Sequence, residues 1–580
     1  MRPRSAAARA LAAVLLGALL AGCGLPLESG VRVPGPVSGE AQEPGAVQDL
    51  PPGPQPDAGP RAIVLGFLNA QSNADDDHAI ARQFLHPEIR DTWSDDGVLV
   101  RSPSVDIAVD PADESRVVTR ADVLARISKE GAYTLEAGTA VPEVYRLRPD
   151  DAGQLRLVEV PEGLRLTPAE AAGSFRPLDV HFLRDAGTAG EPARLVPDRV
   201  FLPVDEDVAD ALVRRLLAGP SNALTGAVTT AFPPGTELRR PVSSDDGVVT
   251  VDLTGPLGDT SSRVRQQMSA QLVWTLRGAG QVFTSLRLLV DGRPLPVDGA
   301  AALQARDSWP EYDPLPTDDD GPLLFVRDGR LARLDGGTPA GPAGDGRLPV
   351  SAAVAAPDGE TVALLSRSPD VVRVGPLAGP YTDVLSQAPV GSMSWGSGDV
   401  GLWVVVGGDA PVLLVGDPAK GGVVTPVPVA PPEGAGPLQS LKVSRDGARA
   451  AGIFGQGAER QVLVGKVERS ADGVRRLTGF RPVARSLTDV ADVAWESGTS
   501  LVVLGALGTA NRLPVRVTVD GSELEPVRTL GLDGEPEAVA AAPGEPLVVG
   551  SRLADRSVLF VDESGLFQPP VAGSAPAYPG

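Results

Sequence analysis

Along residues 321–580 short apolar runs alternate with polar turns. "AAVAAPDGETVALLS", "SMSWGSGDVGLWVVV", "LKVSRDGARAAGIF", "ADVAWESGTSLVVLG" and "AVAAAPGEPLVVGS" each predict a strand, a turn and a second strand. Their turn glycines, Gly359, Gly398, Gly447, Gly498 and Gly544, recur at spacings of 39, 49, 51 and 46 residues, the period of a propeller blade rather than of a helical solenoid. One such unit cannot bury both faces of its sheet, so the units must stack. With "LLFVRDGRLARLDG" as a partial opening blade, the expected fold of 321–580 is an all-β propeller of six blades, five and seven also being compatible. Trp395 and Trp495 fall on the same strand of two repeats, where the third has the small Ser444. That pattern points to packing between blades rather than to platforms for stacking sugars.

Upstream the period changes. "RAIVLGFLNAQSNADDDHAIARQFLHPEIRDTW" predicts two helices, broken at Asn73, the second opening on Asp75, Asp76 and Asp77. Acids in a first turn complement the helix dipole, a simpler reading than a cation site. Strands such as "QLRLVEV" and "VHFLRD" follow, and two helices before a curved sheet resemble an NTF2-like cone, giving an α+β domain over 60–192. From 193 to 300 the order is strand ("ARLVPDRVFLP"), helix ("DEDVADALVRRLLAGP"), hairpin turning at Asp246-Gly247, Gln-rich helix with Val264, Met268, Leu272 and Leu276 on one seam, and a closing strand pair ("FTSLRLLVDGRPL"). This unit is similar to the GerMN domain of sporulation proteins, which brings no catalytic residues with it. Residues 301–320 read as a linker.

The N-terminus has its own signature. Arg2, Arg4 and Arg9 precede an apolar run from Ala10 to Leu20, long enough for an export signal and too short to span a bilayer. Leu20-Ala21-Gly22-Cys23 looks like a bacterial lipobox, which makes 1–22 a signal peptide and Cys23, the single cysteine of the chain, the site of diacylglycerol and N-acyl attachment, with palmitate as an expected chain. Acyl chains at ~0.8 kcal/mol per buried CH₂ then hold the protein on the membrane. Residues 23–59, rich in proline and poor in large apolar groups, form a tether that sets the first domain on the order of 30 Å from the surface.

Composition narrows the chemistry further. After Cys23 there is no thiol for a disulfide, a metal site or a nucleophile. A net charge of −22, without a Lys/Arg run, argues against nucleic acid as a partner. His78 and His86, eight apart, lack the i, i+4 spacing of a helical metal pair and are read as structural; all three histidines, His181 included, are placed outside the GerMN-like unit and the propeller, leaving those two without an imidazole base, and no G-x-S-x-G, H-E-x-x-H or P-loop pattern occurs. No cofactor, metal or catalytic residue is therefore expected, although abundant Asp and Glu leave a carboxylate pair for glycoside hydrolysis open.

Lipobox, proline-rich tether, NTF2-like segment, GerMN-like unit and propeller, in this order, resemble the LpqB lipoproteins of actinobacteria over essentially the whole length. "LVPDRVFLP" at the domain junction and "RDSWPEYDP" before the propeller look like that family too. The resemblance implies a non-catalytic accessory on the extracytoplasmic face of the cell membrane. The resemblance further implies that it acts with the outer part of the sensor histidine kinase MtrB, in the MtrA/MtrB two-component system, on cell-wall and division functions. The alternative class is a lipoprotein that binds a wall glycan, a peptide or a small ligand.

Overall fold

The computed structural model describes residues 51–184, 193–204, 206–314, 321–368, 370–386, 389–396, 401–407, 411–416, 423–470, 474–554 and 556–580. Cys23 and the lipobox lie outside the described residues, as does Gly398.

Helix α1, Pro60–Ala70, starts with proline in its first turn and buries Ile63, Val64, Phe67 and Leu68. The second segment, α2 (Asp75–Gln83), departs from expectation: Asp76, Asp77 and His78 have φ of 48°, 58° and 55°, in the left-handed region. A regular first turn for the three acids to cap is therefore absent. Asp77 instead pairs with Arg82 at 2.9 Å, and Asp75 accepts from Asn73 at 3.1 Å. The two segments pack on a sheet of Val98–Arg101, Asp106–Asp110, Asp113–Ile127, Tyr133–Pro149, Leu155–Glu159 and Leu164–Leu166, dominated by the long hairpin 113–149.

"VHFLRD", placed by sequence in the first domain, lies in the strand Phe175–Arg184, which pairs along its whole length with Arg194–Pro203. It buries Val180, Phe182 and Leu183 in the core of the second domain. Alternation showed a strand there but not which strand it would meet. Helix α3 (Val208–Leu217) is capped by Asp207, whose carboxylate accepts from the Ala209 and Asp210 amides. Asp246 and Gly247, with φ of 47° and 77°, turn the hairpin Ser243–Asp245/Val248–Thr254 as expected. Val248–Leu253 then runs parallel to Ser285–Val290, the two joined through helix α4, Ser262–Leu276.

Helix α4 is more than amphipathic, because every residue from Met268 to Leu276 is buried. Its buried polar groups have specific duties. Gln271 Nε2 donates to His181 O (2.8 Å), and Thr275 Oγ1 accepts from His181 N (3.0 Å). Helix side chains thus satisfy backbone groups of the 175–184 strand that would otherwise be buried unpaired. The start of the 301–320 segment is anchored too: Trp309 Nε1 donates to Ser269 Oγ at 2.9 Å, Trp274 Nε1 donates to Trp309 O at 3.0 Å, and Tyr312 joins the same core.

In its described residues the C-terminal region is a propeller of six sheets, built on strands starting at Leu324, Val350, Val390, Leu438, Leu487 and Glu535. Ser574–Ala577 pairs with Leu324–Arg327, closing the ring by joining its two ends in one sheet. Trp395 Nε1 donates to Val354 O and Trp495 Nε1 to Lys442 O, both at 2.9 Å, so each tryptophan ties its blade to the preceding one. Ser444 does something else, its hydroxyl bonding Asp446 and the Arg449 amide within a turn.

Candidate functional site at the junction of three domains

The propeller is seated directly on the second domain. Ala448, on the fourth blade, is fully buried within the second domain's hydrophobic core. Beside it Arg449, 4% exposed, donates to Pro197 O at 2.5 Å and Gly498 O at 3.3 Å. Its guanidinium lies 3.6 Å from Asp446, whose carboxylate also accepts from Ser444 Oγ and the Ala448 amide. A Cβ at Gly498 would stand 2.9 Å from the Pro197 ring, and one at Gly447 would meet the Arg184 guanidinium at the same distance, so both glycines permit the close approach.

Next to Pro197 in sequence, Asp198 accepts from Ser221 N and Oγ at 2.7 and 2.8 Å and lies 3.7 Å from Arg215. Arg199 pairs with Glu523 at 2.5 Å and lies 3.7 Å from Asp520. Lys466 of the propeller donates to Asn222 O and Thr225 O. The first domain reaches the junction by the turn of its long hairpin: Phe201 N donates to Gly131 O (2.8 Å), the Tyr133 and Phe201 rings lie 5.2 Å apart, and Leu135 meets Gly521.

Between these contacts a cavity of 650 Å³ remains, walled by all three domains. Arg126, Arg165, Arg199, Arg215, Arg449 and Arg481 line it together with Asp96, Glu130, Glu136, Glu162, Asp198 and Asp520. A second cavity of 710 Å³ adjoins it, with Asp96, Ser128, Glu130 and Arg215 lining both. Several polar atoms at the junction are buried without a hydrogen-bond partner, including Arg199 Nε, Arg215 Nε, Asp520 Oδ2 and Asp179 Oδ1. Burial pushes the Asp179 carboxyl up against the pull of Arg199 and Arg449, lowers Arg215 and raises the Tyr133 phenol to about 12.

The three histidines are not brought together. His78 lies 3.4 Å from Asp95, which it holds below the usual carboxylate range; His86 caps the short helix Pro87–Arg90; His181 is in the second domain's core. Among the described residues no group of three or more His, Cys, Asp or Glu could hold a metal, and no helix is long and apolar enough to cross a membrane. Sequence reasoning singled out "LVPDRVFLP" without a role for it. Pro197, Asp198 and Arg199, which contact the propeller or line the groove, are its centre. Nothing in the sequence signalled Arg215, Arg449 or Arg481, which come from distant segments that only the fold assembles.

Residues 53–172 match the family described as Lipoprotein LpqB, N-terminal domain; residues 179–296 match Sporulation and spore germination; residues 329–579 match Lipoprotein LpqB beta-propeller domain. Lipoprotein LpqB of Thermobifida fusca is 32% identical over 99% of this chain and 99% of its own length. The proteins of the same description from Mycolicibacterium smegmatis and Streptomyces coelicolor are 30% and 28% identical, over 99% and 100% of this chain and 100% and 98% of theirs.

Proposed function

The chain belongs to the LpqB lipoprotein family, and from that premise we propose that it is a non-catalytic adaptor, held on the extracytoplasmic face of the cell membrane by lipid on Cys23, that engages the outer domain of an MtrB-type sensor kinase. The observation that carries this reading is the Arg449–Pro197 junction, which with Ala448 in the second domain's core fastens the propeller onto that domain. Two domains so fastened and tethered offer an extended surface to a membrane neighbour at high effective concentration, so that modest intrinsic affinity suffices. The groove at the junction supports the second reading, a lipoprotein for a wall glycan, peptide or small ligand.

Titration of the purified full chain against the purified kinase sensor domain tests the proposal, together with the kinase's output in cells lacking the lipoprotein. Binding and altered output are expected. No interaction at high micromolar concentration, with unchanged output, overturns the adaptor reading, and titration with muropeptides then tests the second.

A further inference from the structure

We propose that the groove between the three domains, and not the propeller's axial opening, is where the partner docks, by an extended polypeptide segment of mixed charge; this rests on the adaptor reading for the partner's identity. The axial opening is already filled. Tyr578 Oη donates to Pro546 O at 2.7 Å, Arg445 Nη2 to Pro579 O at 2.6 Å and Gly580 N to Ala355 O at 3.1 Å, leaving a space of 60 Å³ among Met393, Lys442 and Trp495. That space is too small for a peptide, whereas the junction offers two adjoining cavities of 650 and 710 Å³.

The chemistry of the groove selects its occupant. Arg215 is 6% exposed, its Nε has no partner and its nearest carboxylate is 3.7 Å away, so a buried donor is unspent. Asp520 Oδ2, on the propeller side, is buried without a hydrogen bond, 3.7 Å from Arg199 Nε. A polypeptide backbone, which carries carbonyls and amides in alternation, uses both kinds. Arg481 is exposed without an ion pair among the described residues, and Glu162, exposed too, lines the same cavity, so acidic and basic side chains of one segment each find an opposite charge.

The test uses the full chain in detergent against the purified sensor domain, measured by titration. Arg481→Glu reverses an exposed charge of the groove, Ala223→Trp fills the groove from an exposed position, and Arg528→Glu, an exposed reversal outside the groove, is the control. At least tenfold weaker binding is expected for the first two and unchanged binding for the third, with melting temperatures showing that all three fold. Groove variants that fold and bind within threefold of wild type overturn the inference while the adaptor reading stands. Failure of the wild type to bind overturns both.

Discussion

The guanidinium of Arg449 donates to the carbonyl oxygen of Pro197 at 2.5 Å across 252 residues of sequence, and both groups are buried. The bond joins an inner turn of the propeller's fourth blade to the phrase "LVPDRVFLP" of the second domain. A buried cation tolerates such a place because Asp446, the Gly498 carbonyl and the Pro197 carbonyl surround it.

Replacing Arg449 by Met should therefore loosen the two domains from one another. Asp446 would lose its counter-charge while remaining buried, a loss on the order of 3–5 kcal/mol. Calorimetry should show one cooperative transition for these domains in the wild type and two separated ones in R449M. A single transition of unchanged midpoint in the variant would show that Ala448 and the neighbouring packing hold the junction without it.

His181 gives a pH prediction with a definite sign. Burial, with Arg277 nearby, lowers its pKa to about 3, against 6.5 when unfolded. The folded state therefore holds the neutral ring, and its stability is intact above pH 6.5 and falls as pH drops from 6.5 towards 3, by up to about 1.4 kcal/mol per pH unit. His181→Phe retains the backbone bonds to Gln271 and Thr275 and should flatten this slope. Melting curves of wild type and variant from pH 7 to pH 4 check it; parallel loss in both would place the acid sensitivity elsewhere.

These two residues also show what the sequence could and could not disclose. The blade repeats were legible because strand, turn and strand recur locally with Gly359, Gly447 and Gly544 all at positive φ. Hairpin turns at Asp246-Gly247 and the seam Met268, Leu272 and Leu276 were legible for the same reason. Left-handed φ at Asp76, Asp77 and His78 was not, since three acids before an apolar run carry the ordinary signature of a helix start. Nor was the company of Phe175–Arg184, because alternation fixes a strand's faces and not its neighbour. The groove was least legible of all: its arginines belong to three domains and acquire a common meaning only when Pro197 and Arg449 meet.

The propeller tryptophans separate two roles by measurement. Trp495→Phe keeps the aromatic bulk and removes the donor to Lys442 O, so a stability loss of about 1–3 kcal/mol is expected in urea titrations. Trp395→Phe should cost a similar amount through Val354 O. A tryptophan serving as a sugar platform would behave oppositely, with unchanged stability and weakened binding to wall fragments.

The anchor is tested through Cys23, on which the adaptor reading depends for its effective concentration. Cys23→Ser should abolish fatty-acid labelling and processing at that site and release the protein from the membrane fraction, because no described helix could hold it there. At native expression the released form should lose most of its effect on kinase output. Overproduction should restore part of it, since concentration in solution then stands in for the tether. Pairing C23S with R449M distinguishes the two contributions. If the junction presents the docking surface, overproduced C23S regains signalling while overproduced C23S/R449M does not, with both proteins present at equal levels by immunoblot. Equal recovery by the two would show that the partner reads one domain alone, and full activity of C23S at native level would show that the lipid is not what brings adaptor and kinase together.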